Sequence, residues 1–295
     1  MTSRAILAGP TVHLGTLGPF RRLSPAHLVL VALETEEVAL EAEAWLTRRG
    51  VEQKAMHMIV DGHVRVFTAD GSVVTGPGGL VGFPDLFVPG AVALGALTDS
   101  EVVALRLDTD LLRDVCERNF TVLGSLLTFL AGLVAEDFAA AERVIAGSAE
   151  EASAYPGAAR DRVLRMLALQ RAPAFPLESM DALADLAGRI HATDVAAGDV
   201  LWERGDVSEG FWVVGSGAVT VTRGEHAVRV GAGGIPGLPE TLAGSPREDR
   251  AEVVEPGFLL PVDVDSFMDV LEDHFELAFS LLGWMARHLS SESTF

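Results

Sequence analysis

The sequence predicts an α+β fold, mainly β, in which two tandem copies of one small β-roll are flanked by helices. Three observations support this prediction: the chain length, an internal repeat, and short runs of alternating apolar residues separated by glycines. A chain of 295 residues is long enough for two ordinary domains. Hydrophobic residues make up 49% of it and charged residues 22%, which is typical of chains that fold around a core.

The internal repeat has a constant offset of 155 positions. Residues of different chemical types recur at this offset. The matched pairs include Gly50 and Gly205, Gly62 and Gly217, Gly82 and Gly237, Asp110 and Asp265, and Phe120 and Phe275. Because composition alone cannot align glycines, acids and aromatic residues at one offset, the chain contains a duplicated domain.

Each copy is expected to begin with a short helix and to end with a longer one. The opening helices are predicted at Leu23–Leu33 and Met180–Ile190. The closing helices begin near Asp110 and Asp265. We assign these two aspartates as N-caps, because a carboxylate at that position can accept the first free backbone N–H groups of a helix.

Short strands with glycine turns are predicted between the two helices of each copy. In the second copy Phe211 and Val213 lie at the period of two that marks a half-buried strand. One segment of the first copy is ambiguous, since Glu34–Arg49 is rich in residues that favour helix. Its counterpart Ala192–Arg204 has the pattern of strand, turn and strand, and we therefore predict the same for the first copy.

The repeat predicts three segments along the chain. The first domain spans 15–144, a helical connector spans 145–174, and the second domain spans 175–295. Within the connector, Arg160–Leu169 carries apolar residues on one helical face.

Charge and cysteine content restrict the class of protein. The formal net charge is −20, so nucleic acid and anionic membranes are poor partners. The uncharged run Asn119–Ala135 is interpreted as a buried helix, because the helical pattern continues into charged residues. Cys116 is the single cysteine, which excludes an internal disulfide and is consistent with a cytoplasmic protein. Its helical context favours a small buried side chain.

The helix after the first copy carries an apolar stripe that is too broad for one small domain to cover. The residues of the stripe are Leu123, Leu126, Leu127, Leu130, Leu133, Val134 and Phe138. We expect the stripe to meet either the second copy or a second chain. The sequence leaves a homodimer and an interdomain contact both open.

Two segments of the second copy resemble the cyclic-nucleotide-binding domain family. Ala196–Val221 follows that family's order of glycine turn, strand, acidic turn and paired strands, and Gly237–Val253 occupies the position of its phosphate-binding cassette. The resemblance extends to the first copy through the repeat, and the tandem layout is similar to that of kinase regulatory subunits. It implies a β-roll with flanking helices and a regulatory rather than catalytic role. After the second copy the helical pattern ends near His288, so no helix-turn-helix is expected.

The resemblance also implies site residues in the second domain. Gly237 would allow the backbone to approach a phosphate, Arg247 would neutralise it, and Glu240 would accept a ribose hydroxyl, with Arg250 as a competing phosphate ligand. Two departures from the family pattern weaken this site. Pro239 lacks the N–H that a phosphate nest uses, and carboxylates directly follow Arg247. Arg247 could instead pair with Glu240, Glu248 or Asp249 on a surface loop.

The equivalent positions of the first domain are Gly82 and Asp85. The loop Gly82–Asp99 is apolar with two acids, and no Lys or Arg occurs between Arg65 and Arg106. A cyclic phosphate would have no cationic partner in that loop, so we predict that the first cassette does not bind the family's ligand.

These features predict a non-enzymatic regulatory or adaptor protein that acts by protein–protein interaction with partners of unknown identity. The sequence contains neither a recognisable group of catalytic residues nor the spacing of metal ligands. We therefore predict no catalytic residues and no bound metal. No cofactor is predicted either. The alternative is a cyclic-nucleotide-responsive sensor in which the ligand binds only in the second domain.

Overall fold

The structure is a computed structural model that describes residues 8–68, 71–90, 94–146, 161–175 and 180–290. The chain divides into two compact units. The first consists of Met1–Phe129 together with Leu282–Phe295, and the second of Leu130–Leu281. The domain boundaries inferred from the repeat stay predictions.

The first unit contains two antiparallel sheets of four strands, with the orders β1-β8-β3-β6 and β2-β7-β4-β5. Its core lies between the sheets and includes Ile59, Val64 and Val102. The strands are β1 (Thr35–Leu40), β2 (Trp45–Thr47), β3 (Ala55–Asp61), β4 (Val64–Thr68), β5 (Gly71–Thr75), β6 (Leu80–Val81), β7 (Ala96–Thr98) and β8 (Val102–Asp108). The helices are α1 (Ala8–Thr16), α2 (Pro25–Leu33) and α3 (Thr109–Arg118), with 3-10 turns at Gly18–Phe20 and Asp85–Phe87.

The second unit contains one antiparallel sheet in the order β10-β13-β11-β12, and β9 pairs with β13. Its strands are β9 (Thr193–Val195), β10 (Val200–Trp202), β11 (Gly210–Arg223), β12 (His226–Val230) and β13 (Arg250–Asp263). Its helices are α5 (Phe138–Ile145), α6 (Arg162–Leu169), α7 (Met180–Arg189), α8 (Leu238–Ala243) and α9 (Val264–Asp273). Helices α4 (Phe120–Glu136) and α10 (Phe275–Ser290) each contribute residues to both units.

The bounds of the elements repeat with the offset found in the sequence. Helix α9 begins and ends 155 positions after α3, and β12 begins and ends 155 positions after β5. The turn glycines also correspond, since Gly82 has φ +90° and Gly237 has φ +84°. Left-handed values such as these favour glycine at both positions. The predicted α+β fold class is confirmed.

The ambiguous segment of the first unit forms strands. Between β1 and β2 the chain turns at Glu43, whose φ is +64°, and the counterpart in the second unit is Gly198 with φ +94°. Val38 and Leu46 pack against the core of the first unit, and this packing outweighs the helical propensity of the segment. The strand–turn–strand prediction is therefore confirmed.

The apolar helices behave as buried elements. Helix α6 begins after the N-cap Asp161, as expected for the connector helix, and Cys116 is buried in α3. Of the predicted stripe, Leu133 is half-buried, the side chain of Phe138 lies outside the described residues, and five members are buried: Leu123, Leu126, Leu127, Leu130 and Val134. In the described part of the chain, only α3 and α4 taken together have the length and apolar content of a membrane span, and they bend by 116° at their junction.

The N-caps of the closing helices differ from the prediction. They are Asp108 and Asp263, each two residues before the predicted aspartate, because the strands β8 and β13 run directly into the helices. The Ser266 N–H donates to Asp263 Oδ1 over 2.8 Å, whereas the side chain of Asp108 makes no capping bond. Asp265 lies in the first turn, where its charge still favours the helix dipole.

Replacing Asp263 with alanine is expected to lower the free energy of unfolding by about 1 kcal/mol at pH 7, because the Ser266 N–H loses its acceptor. This hydrogen bond lowers the pKa of Asp263, so its contribution is present above the ordinary pKa of an aspartate and is lost as the pH falls through the lower folded value. Urea unfolding at pH 7 and in acid measures both effects. Asp108→Ala is the matched control and should cost less. Equal losses in the two variants would contradict the assignment.

Candidate functional site

The predicted cassette of the second unit is organised around the turn at Gly237. This residue is the N-cap of α8, a helix of six residues, and its φ is +84°. A Cβ atom at Gly237 would lie 2.5 Å from Arg247 Nη1. Glycine is therefore required here both for the backbone conformation and for the close approach of the guanidinium.

Arg247 lies beneath this turn and not on a surface loop. Its side chain is only 4% exposed. The guanidinium donates to the carbonyl oxygen of Gly237 over 2.8 Å and to that of Gly210, and it stacks 4.4 Å from the ring centroid of Trp202. Burial lowers the pKa of Arg247. The alternative is correct in pairing Arg247 with Glu240, at 3.9 Å, but wrong in placing it on a surface loop, because backbone carbonyls and an aromatic ring hold the guanidinium in the interior.

Arg247 belongs to a buried charge cluster, which we define as Arg223, Glu240, Arg247 and Asp249. Arg223 Nη2 lies 3.2 Å from Glu240 Oε1 and 3.6 Å from Asp249 Oδ2, and Arg247 Nη1 lies 3.9 Å from Glu240 Oε2. The indole N–H of Trp202 donates to Asp249 Oδ1 over 2.9 Å. Burial, with the nearby Asp249 carboxylate as the next cause, raises the pKa of Glu240. Two guanidinium groups and two carboxylates thus balance inside the unit.

The other predicted ligands are turned to the surface. Arg250 pairs with Glu203 at 3.0 Å and with Glu252. Glu248 is half-exposed and pairs with Arg204 at 3.7 Å. Of the two carboxylates that follow Arg247, only Asp249 lies inside, where it accepts from Trp202. Sequence reasoning did not identify Arg223 or Trp202 as members of this site, because neither lies in the cassette segment.

The cassette turn is covered by other parts of the second unit. All six residues of α8 are buried, and α5 lies against α8. The backbone N–H of Ile235 donates to the carbonyl of Ile145 over 3.1 Å, and the Ile145 side chain joins the core around Trp202. Arg223 also donates to the carbonyl of Ala135 over 2.9 Å. A ligand that approached the turn from this side would have to displace this segment.

The first unit replaces the guanidinium with a neutral amide. Gln53 Nε2 donates to the carbonyl of Ala55, which corresponds to Gly210 at the offset of 155 positions. A Cβ atom at Gly82 would collide with this amide, as one at Gly237 would collide with Arg247. Asp85 lies half-buried in the 3-10 turn that follows. Gln53 was not among the predicted site residues, because it lies outside the loop that begins at Gly82.

The described residues contain no candidate metal site. No group of three His, Cys, Asp or Glu side chains in residues 8–68, 71–90, 94–146, 161–175 and 180–290 comes together in a way that could hold an ion.

A match to a known protein family lies within the second unit. Residues 192–274 match the family described as cyclic nucleotide-binding domain. No curated protein matches the chain.

Several solved structures are similar to the chain at low identity, some over most of its length and one over a shorter part. The regulatory domain of PKA from Toxoplasma gondii, crystallised with cAMP, is 16% identical with a TM-score of 0.36, covering 94% of this chain and 97% of that one. The regulatory subunit of a cAMP-independent protein kinase A from Trypanosoma brucei is 17% identical with a TM-score of 0.36, covering 94% and 91%. A cyclic nucleotide-binding-like protein from Brucella abortus is 29% identical with a TM-score of 0.33, covering 37% of this chain and 97% of that one.

Proposed function

We propose that the chain is a non-enzymatic regulatory adaptor, built from tandem cyclic-nucleotide-binding-like domains with degenerate cassettes and acting through protein–protein interaction. The observation that carries this proposal is the position of Arg247. The cation that would neutralise a cyclic phosphate is instead bound to the carbonyls of Gly237 and Gly210 and to Glu240.

The surroundings of Arg247 favour a structural role. A phosphate nest needs exposed backbone N–H groups, but α8 is buried and Pro239 at its second position has no N–H to offer. The buried charge cluster is already balanced. A monoanionic ligand would leave it with an excess negative charge in a site of low dielectric, which is unfavourable.

The tandem arrangement rests on the repeat. The matching bounds of α3 and α9 and of β5 and β12 support a duplicated domain, and the family match at 192–274 supports a domain of the cyclic-nucleotide-binding type. In the first unit, Gln53 takes the place of the arginine, which supports a cassette that has lost its cation.

The sensor alternative keeps one specific observation in its favour. The family match covers the whole cassette of the second unit, and Arg247 follows Gly237 at the spacing that the family resemblance implies. In this alternative the guanidinium leaves the carbonyls of Gly237 and Gly210 when a cyclic nucleotide arrives, and the first unit binds no ligand.

Calorimetric titration of the full chain with cyclic AMP and cyclic GMP distinguishes the two functions. We expect no saturable heat at micromolar ligand, because both terminal nitrogens of Arg247 already donate to backbone carbonyls. The comparison variant is Arg247→Gln, which introduces the amide group that Gln53 provides in the first unit and keeps a hydrogen-bond donor. Arg250→Ala is the matched control at the surface. A saturable isotherm that is abolished by Arg247→Gln and retained in Arg250→Ala would establish the sensor and refute the adaptor.

The adaptor needs a protein partner, and the oligomeric state belongs to the same proposal. We consider a monomer and a homodimer. Because five residues of the apolar stripe on α4 are already buried within one chain, a homodimer would have to form through another surface. Light scattering of the full chain distinguishes them, since only the homodimer doubles the mass. The single cysteine, which is buried, supports a cytoplasmic location.

A further inference from the structure

A cleft of about 560 Å³ opens on the first unit, between β2 and the start of β3. Its volume is typical of small-molecule sites, which range over about 300–1,000 Å³. Its lining combines basic and apolar side chains with one carboxylate, Glu52. The basic residues are Arg48, Lys54 and Arg106, and the main apolar residues are Trp45, Leu46 and Val51.

The cations of this cleft retain free hydrogen-bonding capacity. Lys54 is the single lysine of the chain, and its side chain is 78% exposed with Glu52 at 3.9 Å. Arg48 is exposed and forms no ion pair with any residue that the structure describes. Arg106 is shared between Asp108 and Glu36. Since Arg106 is already paired with two carboxylates, Arg48 and Lys54 supply most of the positive charge that an anionic ligand would meet, in a chain of net charge −20.

The apolar wall of the cleft is partly exposed to solvent. The Trp45 side chain lies at the surface, 44% exposed, with its ring 5.9 Å from that of Phe67. A large aromatic group at the surface beside cations suits a ligand that has both an apolar body and a charge.

His57 contributes a neutral polar group to the same cleft. It is buried, and its Nδ1 has no hydrogen-bond partner among the described residues. Burial, followed by the nearby Arg106, lowers its pKa to about 4, so the imidazole is uncharged at neutral pH. A buried polar atom without a partner is uncommon and costs stability, which a hydrogen-bonding ligand could recover.

The second unit lacks this arrangement, and so the duplication provides an internal comparison. At the offset of 155 positions, carboxylates replace two of the cations and apolar residues replace the other two polar groups. The pairs are Arg48 and Glu203, Lys54 and Glu209, Arg106 and Pro261, and His57 and Trp212. The basic character of the cleft therefore belongs to the first copy alone and is not a property of the shared fold.

We propose that the cleft binds a small organic anion, a carboxylate or sulfonate on an aromatic body, with the charge at Arg48, Lys54 and Arg106 and the ring against Trp45. None of these cations comes from the cassette loop at 82–99. The cleft adjoins the degenerate cassette, since Gln53 and Ala55 line both, but its cations come from outside the cassette loop. The inference therefore goes beyond the adaptor function. The adaptor gains a means of responding to a metabolite through its first unit.

The probe for this proposal is 8-anilinonaphthalene-1-sulfonate, an aromatic sulfonate whose fluorescence reports binding to the full chain. Benzoate and benzamide are the competitors, since they have nearly the same shape and differ in charge. The test variant is Arg48→Gln combined with Lys54→Gln, both at exposed positions. The matched control is Arg229→Gln, which removes an exposed cation from β12 of the second unit. Circular dichroism of each variant checks that the fold is retained.

We expect saturable binding that weakens about tenfold in the double variant and is unchanged in Arg229→Gln. Glu52→Gln should tighten binding about threefold, because it removes the competing carboxylate and keeps an acceptor for the Gly90 N–H. Benzoate should displace the probe, and benzamide should not. The proposal is overturned by non-saturable binding, by equal affinities in the wild type and the double variant, or by equal competition from benzoate and benzamide.

Discussion

Replacing Arg247 with alanine is expected to destabilise the second unit by about 3–5 kcal/mol, because it removes one partner from a buried ion network. Glu240 and Asp249 are both nearly inaccessible to solvent and would be left with Arg223 alone. The carbonyls of Gly237 and Gly210 would also lose their donors. Urea unfolding followed by circular dichroism measures the loss.

The matched control for this loss is Arg250→Ala. Arg250 also pairs with two carboxylates, but at the surface, where solvent screens such pairs and they contribute little to stability. Arg247→Gln should recover part of the stability, since the amide can donate to the carbonyl of Gly210, as Gln53 donates to the corresponding carbonyl of Ala55 in the first unit. If Arg247→Ala and Arg250→Ala lost the same stability, the burial of charge at Arg247 would not matter and the structural role would be wrong.

The loss in Arg247→Ala should also depend on pH. The pKa of Glu240 is already raised by burial, and removing a nearby cation raises it further. A carboxyl group with a raised folded pKa destabilises the protein when it ionises, so this cost is absent below its unfolded pKa and complete above its folded pKa. The difference between wild type and Arg247→Ala should therefore be larger at pH 7 than at pH 4.

Replacing Gly237 with alanine is expected to cost about 3 kcal/mol, the sum of two effects. The left-handed φ of +84° costs a non-glycine residue about 1–2 kcal/mol. The added Cβ would also lie 2.5 Å from Arg247 Nη1, and the guanidinium cannot move away because it is buried and bonded. Thermal and urea unfolding measure the total.

The matched control separates the two effects. Gly205 has φ +93°, and a Cβ atom there would meet nothing within 4 Å. Gly205→Ala should therefore show the cost of the backbone conformation alone. The same pair exists in the first unit, where Gly50 is open and Gly82 lies against Gln53. If the Gly237→Ala and Gly205→Ala variants lost the same stability, Arg247 would not occupy the position described.

Much of the fold was determined by the sequence alone, through the repeat. The offset of 155 positions related the turn glycines of the two copies, and both members of such pairs adopt left-handed φ values because only glycine does so without cost. It also predicted strands within Glu34–Arg49, where local propensity favoured a helix. The repeat predicts these strands correctly because the pattern of the second unit reflects the tertiary contacts of the fold, which local propensity does not include.

The N-caps were misplaced for a local reason. Asp108 and Asp110, like Asp263 and Asp265, stand two residues apart at the end of a strand, and either could cap a helix. Where the helix begins depends on how far the strand continues, and that is decided by pairing with β3 and β11. Such pairing joins residues that are distant in sequence.

The positions and partners of the site residues were decided only by the tertiary structure. Arg247 reads from the sequence as a phosphate ligand or as a surface cation, yet it lies inside, since the carbonyls of Gly237 and Gly210 and the ring of Trp202 converge on it from separate elements. The basic cleft of the first unit likewise joins Lys54 to Arg106 across the paired strands β3 and β8. A side chain's environment is set by residues far along the chain, and one sequence without the fold cannot say which of them are near.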